Sequence, residues 1–160
     1  MVTKRLLRKI TTSDHDLIRH IYADAIQSQC SQTYSEKQIQ AWSSLALLPG
    51  VLEKPLCKGD GWLSYEYNQP AAFAIRYPQN RVALVYCLGS FAGFGHATSL
   101  LKKLECNAIN DGQNKLFTEA SYLSYSLFFK LGWQVLALEK VELAGVGFKR
   151  YRMSKNLYLV

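Results

Sequence analysis

Apolar residues between positions 17 and 26 (Leu17, Ile18, Ile21, Tyr22, Ala25, Ile26) recur at three- and four-residue spacing, the period of a helix buried along one stripe. Ser13 with Asp16 three positions on forms an acidic capping box and predicts the start of that helix. Residues 5–10 ahead of it read as a short edge strand. A second helix is predicted from Ser35, with Gln38 completing the cap and Tyr34 and Ile39 placed as a hydrophobic staple; it runs to about Leu45. Pro49-Gly50, Pro55 and Gly59-Asp60-Gly61 mark 46–60 as loop. From residue 61 the period changes to two, and residues 61–67 and 71–77 predict a hairpin about Asn68-Gln69-Pro70. The mostly apolar run 81–88 is expected as a central strand covered on both faces.

After a Gly-rich segment, Ala97, Leu100, Leu101, Leu104 and Ala108 mark a helix that ends near Asn110-Asp111-Gly112. Lys115–Ala120 reads as a strand and Leu123–Leu131 as a helix stopped by Gly132. Trp133–Leu143 and Phe148–Met153 read as strands joined by Ala144-Gly145-Val146-Gly147. The order β-α-α-β-β-β-α-β-α-β-β predicts an α/β fold, a mixed central β-sheet with helices on both faces. With no repeat or linker, residues 1–160 are expected to form a single domain.

Composition, 49% hydrophobic and 19% charged, is that of an ordinary folded chain. No apolar run reaches the roughly 18 residues of a membrane span, and the basic start at residues 4–9 lacks a signal peptide's apolar stretch, so a cytoplasmic protein is expected. Cys30, Cys57, Cys87 and Cys106 are widely spaced with no His beside them, which argues for reduced thiols and against a metal site. The net charge of +7, clustered at 4–9, Lys102-Lys103 and 149–155, admits an anionic partner. Nucleic acid is a minor reading, because solvated basic faces are common.

The segment with most chemistry is Gly89-Ser90-Phe91-Ala92-Gly93-Phe94-Gly95, between a strand and a helix. Such a turn aims several backbone N–H groups at one point beside the positive end of the helix dipole, where phosphate binds. Glycine at 93 and 95 fits a positive φ or a close ligand approach. A dinucleotide fingerprint needs a small third residue where Thr98 stands and an acidic residue after the next strand, and both conditions fail. No Gly-Lys-Ser/Thr exists for a Walker loop, and residues 89–93 lack the Gly-x-Ser-x-Gly spacing of a nucleophile elbow.

In this setting the chain resembles the GCN5-related N-acetyltransferase (GNAT) family, whose acetyl-CoA loop reads Gln or Arg, two residues, Gly, one residue, then Gly or Ala. Ser90-Phe91-Ala92-Gly93-Phe94-Gly95 fits at both glycines. Tyr34-Ser35 through Trp42 is similar to the family's second-helix segment. Leu127-Phe128-Phe129-Lys130-Leu131-Gly132-Trp133 is similar to its helix ending Phe-Tyr-Glu-Lys-x-Gly-Phe, and Met153-Ser154-Lys155-Asn156-Leu157 to its Met-x-Lys-x-Leu close.

The resemblance implies a single-domain GNAT fold with the strands at 81–88 and 115–120 splayed, and acetyl-CoA as co-substrate between them. Val85 and Cys87 would offer backbone groups to the pantetheine arm, pairing like an added strand. N–H groups of Ala92, Gly93, Phe94, Gly95 and His96 would hold the pyrophosphate, with Lys102 or Lys103 near the outer phosphates. The implied reaction is direct attack of an amine on the thioester, its oxyanion held by an N–H near Val85 or Tyr86. Glu119, Tyr34, Tyr86 and Glu66 are base candidates, Glu119 being the one carried forward. His15, His20 and His96 are weaker, His96 because it would face the phosphates. Two departures stand out: Ser90 replaces the long polar residue, and Phe128 replaces the Tyr that protonates the leaving thiolate. Tyr125, one turn earlier, is the substitute expected for it. Tyr34, Trp42 and Trp62 are expected to line the pocket of a small-molecule or peptide amine. A homodimer is compatible with these features, and an acyl-CoA-binding module without turnover is the alternative.

Overall fold

Alternation of side chains along β3 (Gln69–Arg76) divides the core into two layers: Phe73 and Ile75 enter one, Ala72 and Ala74 the other. In this computed structural model, which describes residues 4–158, β3 is third in a seven-stranded sheet. The others are β1 (Arg5–Lys9), β2 (Asp60–Glu66), β4 (Arg81–Cys87), β5 (Lys115–Ala120), β6 (Gln134–Leu143) and β7 (Val146–Asn156), in the order β1-β2-β3-β4-β5-β7-β6. Helices α1 (His15–Gln29), α2 (Glu36–Ser44) and α3 (Glu53–Lys58) cover the Phe73 face. α4 (His96–Asn110) and α5 (Tyr125–Lys130) cover the Ala72 face. The expected mixed α/β sheet with helices on both faces is what forms; residues 1–3 and 159–160 of the expected domain lie outside the described residues.

Small residues at Ala72 and Ala74, both fully buried, let α4 approach the sheet, so Leu100, Leu101 and Leu104 are buried completely. At about 25 cal/mol per Å² of apolar surface, three fully buried leucines are a firm attachment for a helix whose first turn carries the Gly segment. On the other face Tyr22, Tyr34, Trp42 and Phe148 pack as an aromatic group, with Tyr34 and Trp42 edge to face at 5.3 Å.

Several boundaries differ from expectation. The first capping box is Thr11 with Asp14, not Ser13 with Asp16. Arg8 grips the Asp14 carboxylate with two hydrogen bonds of 2.8 and 2.9 Å, holding its pKa down at about 2 and fixing it ahead of the helix. The second cap is as expected, Ser35 and Gln38 bonding reciprocally. The 46–60 loop contains α3, because Pro55 falls in its first turn, where a missing N–H costs nothing. The β2–β3 turn is Tyr67-Asn68, both at positive φ, so Gln69 and Pro70 belong to the strand. Likewise only Ala144-Gly145 turn between β6 and β7. No described helix is long and apolar enough to cross a membrane.

Candidate active site

β4 and β5, the one parallel pair among the described residues, keep register only at Arg81–Phe117 and Val82–Thr118. Thr118 closes this vertex by donating its hydroxyl to the Val82 carbonyl at 2.9 Å. Beyond it the strands part, leaving a cavity of about 190 Å³ between Val85, Tyr86 and Cys87 on one side and Glu119, Ser124 and Phe128 on the other. This is why β4, expected to be covered on both faces, buries only Val82 completely. Leu88 donates its N–H to Ala71 on β3. By strand alternation the N–H and C=O groups of Cys87 and Val85 therefore point away from β3, into the gap. The Cys87 carbonyl already accepts a hydrogen bond from Gln29 Nε2 at 2.7 Å, leaving its N–H and both groups of Val85 facing the cleft.

At the mouth, residues 89–91 form a single 3-10 turn, and Gly93 and Gly95 both take left-handed backbone, with φ of 83° and 86°. A side chain at either position would be strained. The first N–H groups of α4 have no intrahelical partner by geometry, so Gly95, His96 and Ala97 present donors at the positive end of the helix. Ala92 is an exception to the expected set: its N–H is bonded to the Gly89 carbonyl at 3.2 Å. Asp24 on α1 anchors the start of the loop by accepting the Gly89 N–H at 2.9 Å.

The His96 backbone opens α4 at the mouth of the cleft, but its imidazole turns away from it. The ring is buried under the sheet, Nδ1 2.7 Å from the Ser64 hydroxyl and Nε2 3.5 Å from Glu66. Burial first, and Arg5 nearby, lower its pKa from the ordinary value, so the ring is neutral. A ring protonated on Nε2 satisfies both contacts. On the outer side of the loop Arg5 from β1 donates through Nη2 to the Phe94 carbonyl and through Nη1 to Ser99 Oγ at 3.1 Å. Neither Arg5 nor Ser64 carried a signal in the sequence, since both act across more than 30 residues. Lys103 lies over the Trp62 ring at 4.5 Å, engaged there and not at the loop.

A second cavity of about 230 Å³ adjoins the first at Trp42, Tyr86, Glu119 and Ser121 and lies on the α1–α2 side, walled by Tyr22, Tyr34 and Phe148. Tyr34 and Trp42 thus meet as expected. The Tyr34 hydroxyl accepts the Tyr122 N–H at 2.9 Å, and Trp42 Nε1 donates to the Tyr86 hydroxyl at 3.3 Å. Trp62 does not join them. It shares the α4 face with Ser64, donates to Asp60 at 2.8 Å, and lines a separate hollow beside Arg76.

Tyr125 also lies elsewhere. As the first residue of the six-residue α5 it turns toward β7, packing at a tilt on Tyr151 at 4.7 Å and stacking on Phe129 at 5.8 Å, and it does not line the cleft. Ser124, four residues before Phe128, lines it instead. Of the base candidates, Glu66 sits behind the loop with His96. Burial raises the pKa of Tyr34 and pushes that of Tyr86 up to about 12, so both phenols stay protonated. Glu119 remains, lining both cavities while accepting from Arg81 Nε at 2.8 Å. Burial pushes Cys30 and Cys87 up to about 11, so neither thiol is an activated nucleophile. Among the described residues no cluster of His, Cys, Asp and Glu is placed to hold a metal ion.

Comparison with known proteins matches residues 30–155 to the acetyltransferase (GNAT) domain model. The uncharacterized N-acetyltransferase YafP of Escherichia coli K12 is 24% identical over 147 residues, covering 92% of this chain and 93% of its own. A GCN5-related N-acetyltransferase of Rhodopseudomonas palustris superposes with a TM-score of 0.92 at 23% identity, covering 98% of each chain. The PaiA N-acetyltransferase of Thermoplasma acidophilum, solved in complex with coenzyme A, superposes with a TM-score of 0.71 at 14% identity, covering 96% of this chain and 99% of that one.

Proposed function

The chain belongs to the acetyltransferase (GNAT) family, and on that premise we propose that it transfers an acetyl group from acetyl-coenzyme A to the amine of a small acceptor, with residues 1–160 acting as one domain. The observation that carries this reading is the parallel strand pair that parts after Val82 and Thr118 directly beside the Gly93–Gly95 turn. The residues fit the coenzyme: a cradle of unpaired N–H groups where only glycine is unstrained, leading to a strand edge with free backbone donors and acceptors. Gly93, Phe94, Gly95 and His96 hold the pyrophosphate through their N–H groups, and Val85 and the Cys87 N–H hold the pantetheine arm. Bound there, acetyl-coenzyme A supplies a thioester as acyl donor.

Glu119 takes the proton from the acceptor ammonium, directly or through one water, and releases a neutral amine nucleophile. The Val85 N–H, turned into the cleft, receives the developing oxyanion, whereas that of Tyr86 is turned toward β3. As the new C–N bond forms, the C–S bond breaks and the thiolate leaves, and the attacking nitrogen gives up its second proton to water. Tyr86, which keeps its proton at neutral pH, is the donor at the junction of the two cavities, and Ser124 offers the thiolate a hydrogen bond. Phe128 can do neither. The acceptor cavity is smaller than the usual 300–1,000 Å³ of ligand pockets. It is walled by aromatic rings and lined by Arg81, Lys149 and Arg150; Arg81 pairs with Glu119 and Arg150 with Glu139, which leaves Lys149 as the lining cation without an ion pair among the described residues. This supports a small amine with an apolar body and an anionic group.

The reading is tested by binding and turnover together. Coenzyme A at ~100 times its dissociation constant should stabilise the protein by about 2.7 kcal/mol, and a panel of amino acids and their amides should release free thiol from acetyl-coenzyme A. Absence of a thermal shift at millimolar coenzyme would remove the donor assignment. A shift with no thiol release across the panel would remove the catalytic one.

A further inference from the structure

We infer that Arg5 is a positioning residue for coenzyme binding: from the edge strand β1, its guanidinium fixes the Phe94–Gly95 peptide so that the Gly95 N–H is aimed at the pyrophosphate. The inference rests on the acetyltransferase reading above. A trans peptide is planar, with C=O and N–H on opposite sides. Arg5 Nη2 holds the Phe94 carbonyl on the outer side of the loop, so the Gly95 N–H of the same peptide must point inward. Nη1 reaches Ser99 Oγ at 3.1 Å, and that hydroxyl donates to the Gly95 carbonyl at 3.1 Å. The fork of one side chain therefore ties the loop to the first turn of α4, which Lys, a point charge on a flexible stem, does not reproduce.

Three further observations support the assignment. The segment Ser90–Gly95 carries no cation of its own, so Arg5 supplies the nearest guanidinium to the loop. A Cβ added at Gly95 would meet Arg5 Nη1 at 3.2 Å, so loop and guanidinium are matched to one another. Behind Arg5 stands Glu66 at 4.0 Å, which also contacts His96 at 3.5 Å, while Lys4 lies 3.9 Å from the same carboxylate. Backbone pairing of Arg5 with Glu66 already holds β1 on β2, leaving the side chain for the loop.

The test compares coenzyme A with pantetheine, which lacks the diphosphate, on the full chain by NMR titration or calorimetry. For Arg5→Met, the dissociation constant of coenzyme A should rise about tenfold or more, the size of one lost charge-assisted hydrogen bond, while that of pantetheine stays within about twofold. Arg5→Lys should recover less than half of the loss in free-energy terms, because charge alone does not orient the peptide. Equal weakening of both ligands would mean a general structural role and overturn the inference, as would unchanged coenzyme binding. Should Arg5→Met not fold, the same ratio measured on Arg5→Lys decides. If the wild-type protein itself binds no coenzyme A, the acetyltransferase reading fails first, and visibly so.

Discussion

On the side of the cleft proposed to take the coenzyme, the groups turned inward are backbone N–H and C=O groups. The side chains there, Arg5, His96, Asp24 and Gln29, stand behind and hold the backbone in place. On the acceptor side the wall is made of the side chains themselves, Tyr22, Tyr34, Trp42 and Phe148, with Glu119 at the junction. Backbone recognition depends on φ and on buried polar support, so it tolerates many side chains provided two glycines remain. Side-chain recognition is set by which residues fill the wall, so it can change acceptor without disturbing the donor site. The two sides should therefore fail differently when altered.

Glu119→Gln should separate them most strongly. On the proposed role of Glu119 as general base, its loss lowers the rate by roughly 10²- to 10⁴-fold, while coenzyme affinity stays put. Removing the ion pair with Arg81, both side chains being partly exposed, changes stability by only about 0–1 kcal/mol. Steady-state kinetics beside calorimetry reads both, and a comparable fall in coenzyme affinity would argue against the division of labour.

Gly95→Val attacks the other side. A left-handed backbone costs a non-glycine residue roughly 1–2 kcal/mol, and the new side chain presses on Arg5. Coenzyme affinity should fall about tenfold or more. Full affinity in this variant would show that the positive φ is not needed for binding.

Smaller still is the pH dependence built into His96. Its folded pKa lies below the ordinary value of about 6.5, so the unfolded chain binds the proton more readily. The neutral ring's contribution is complete above about pH 6.5 and is lost as pH falls below it. Urea denaturation from pH 8 to pH 5 should show a steeper decline in wild type than in His96→Asn; parallel declines would place the titrating group elsewhere. The smallest effect is expected for Tyr125→Phe. Its ring packs on Tyr151 away from the cleft, so the rate at saturation should stay within about twofold. A tenfold loss would return Tyr125 to the catalytic role that its sequence position suggested.

The coenzyme side was the more legible of the two. A left-handed turn between strand and helix all but demands glycine, so Gly93 and Gly95 announce the turn by residue type. The caps of α2 and the stripes of α1 and α4 are equally local signals, and their predicted elements form close to the expected places. What supports the loop was invisible: Arg5 lies 89 residues from the carbonyl it holds, and Ser64 lies 32 from His96.

On the acceptor side the sequence offered aromatic residues without saying which way they face. Trp62 and Tyr65 lie on opposite faces of β2, and both faces of this sheet are covered, so alternation alone does not tell which tryptophan enters the pocket. Tyr125 and Phe128 share a helical spacing, but α5 begins only at Tyr125, and the ring follows the surface of β7 rather than the cleft.

By itself, then, the sequence determined the local periods, the caps and the two glycines, since each follows from backbone torsion or spacing within a few residues. The parting of β4 from β5, the aim of Glu119 into the cleft, and the turns of Trp62, Tyr125 and the buried His96 ring away from it were decided only by the tertiary structure. Each of these depends on which elements become neighbours across the sheet, and long-range packing against Arg5, Ser64 and Tyr151 selects among orientations that local spacing leaves equal.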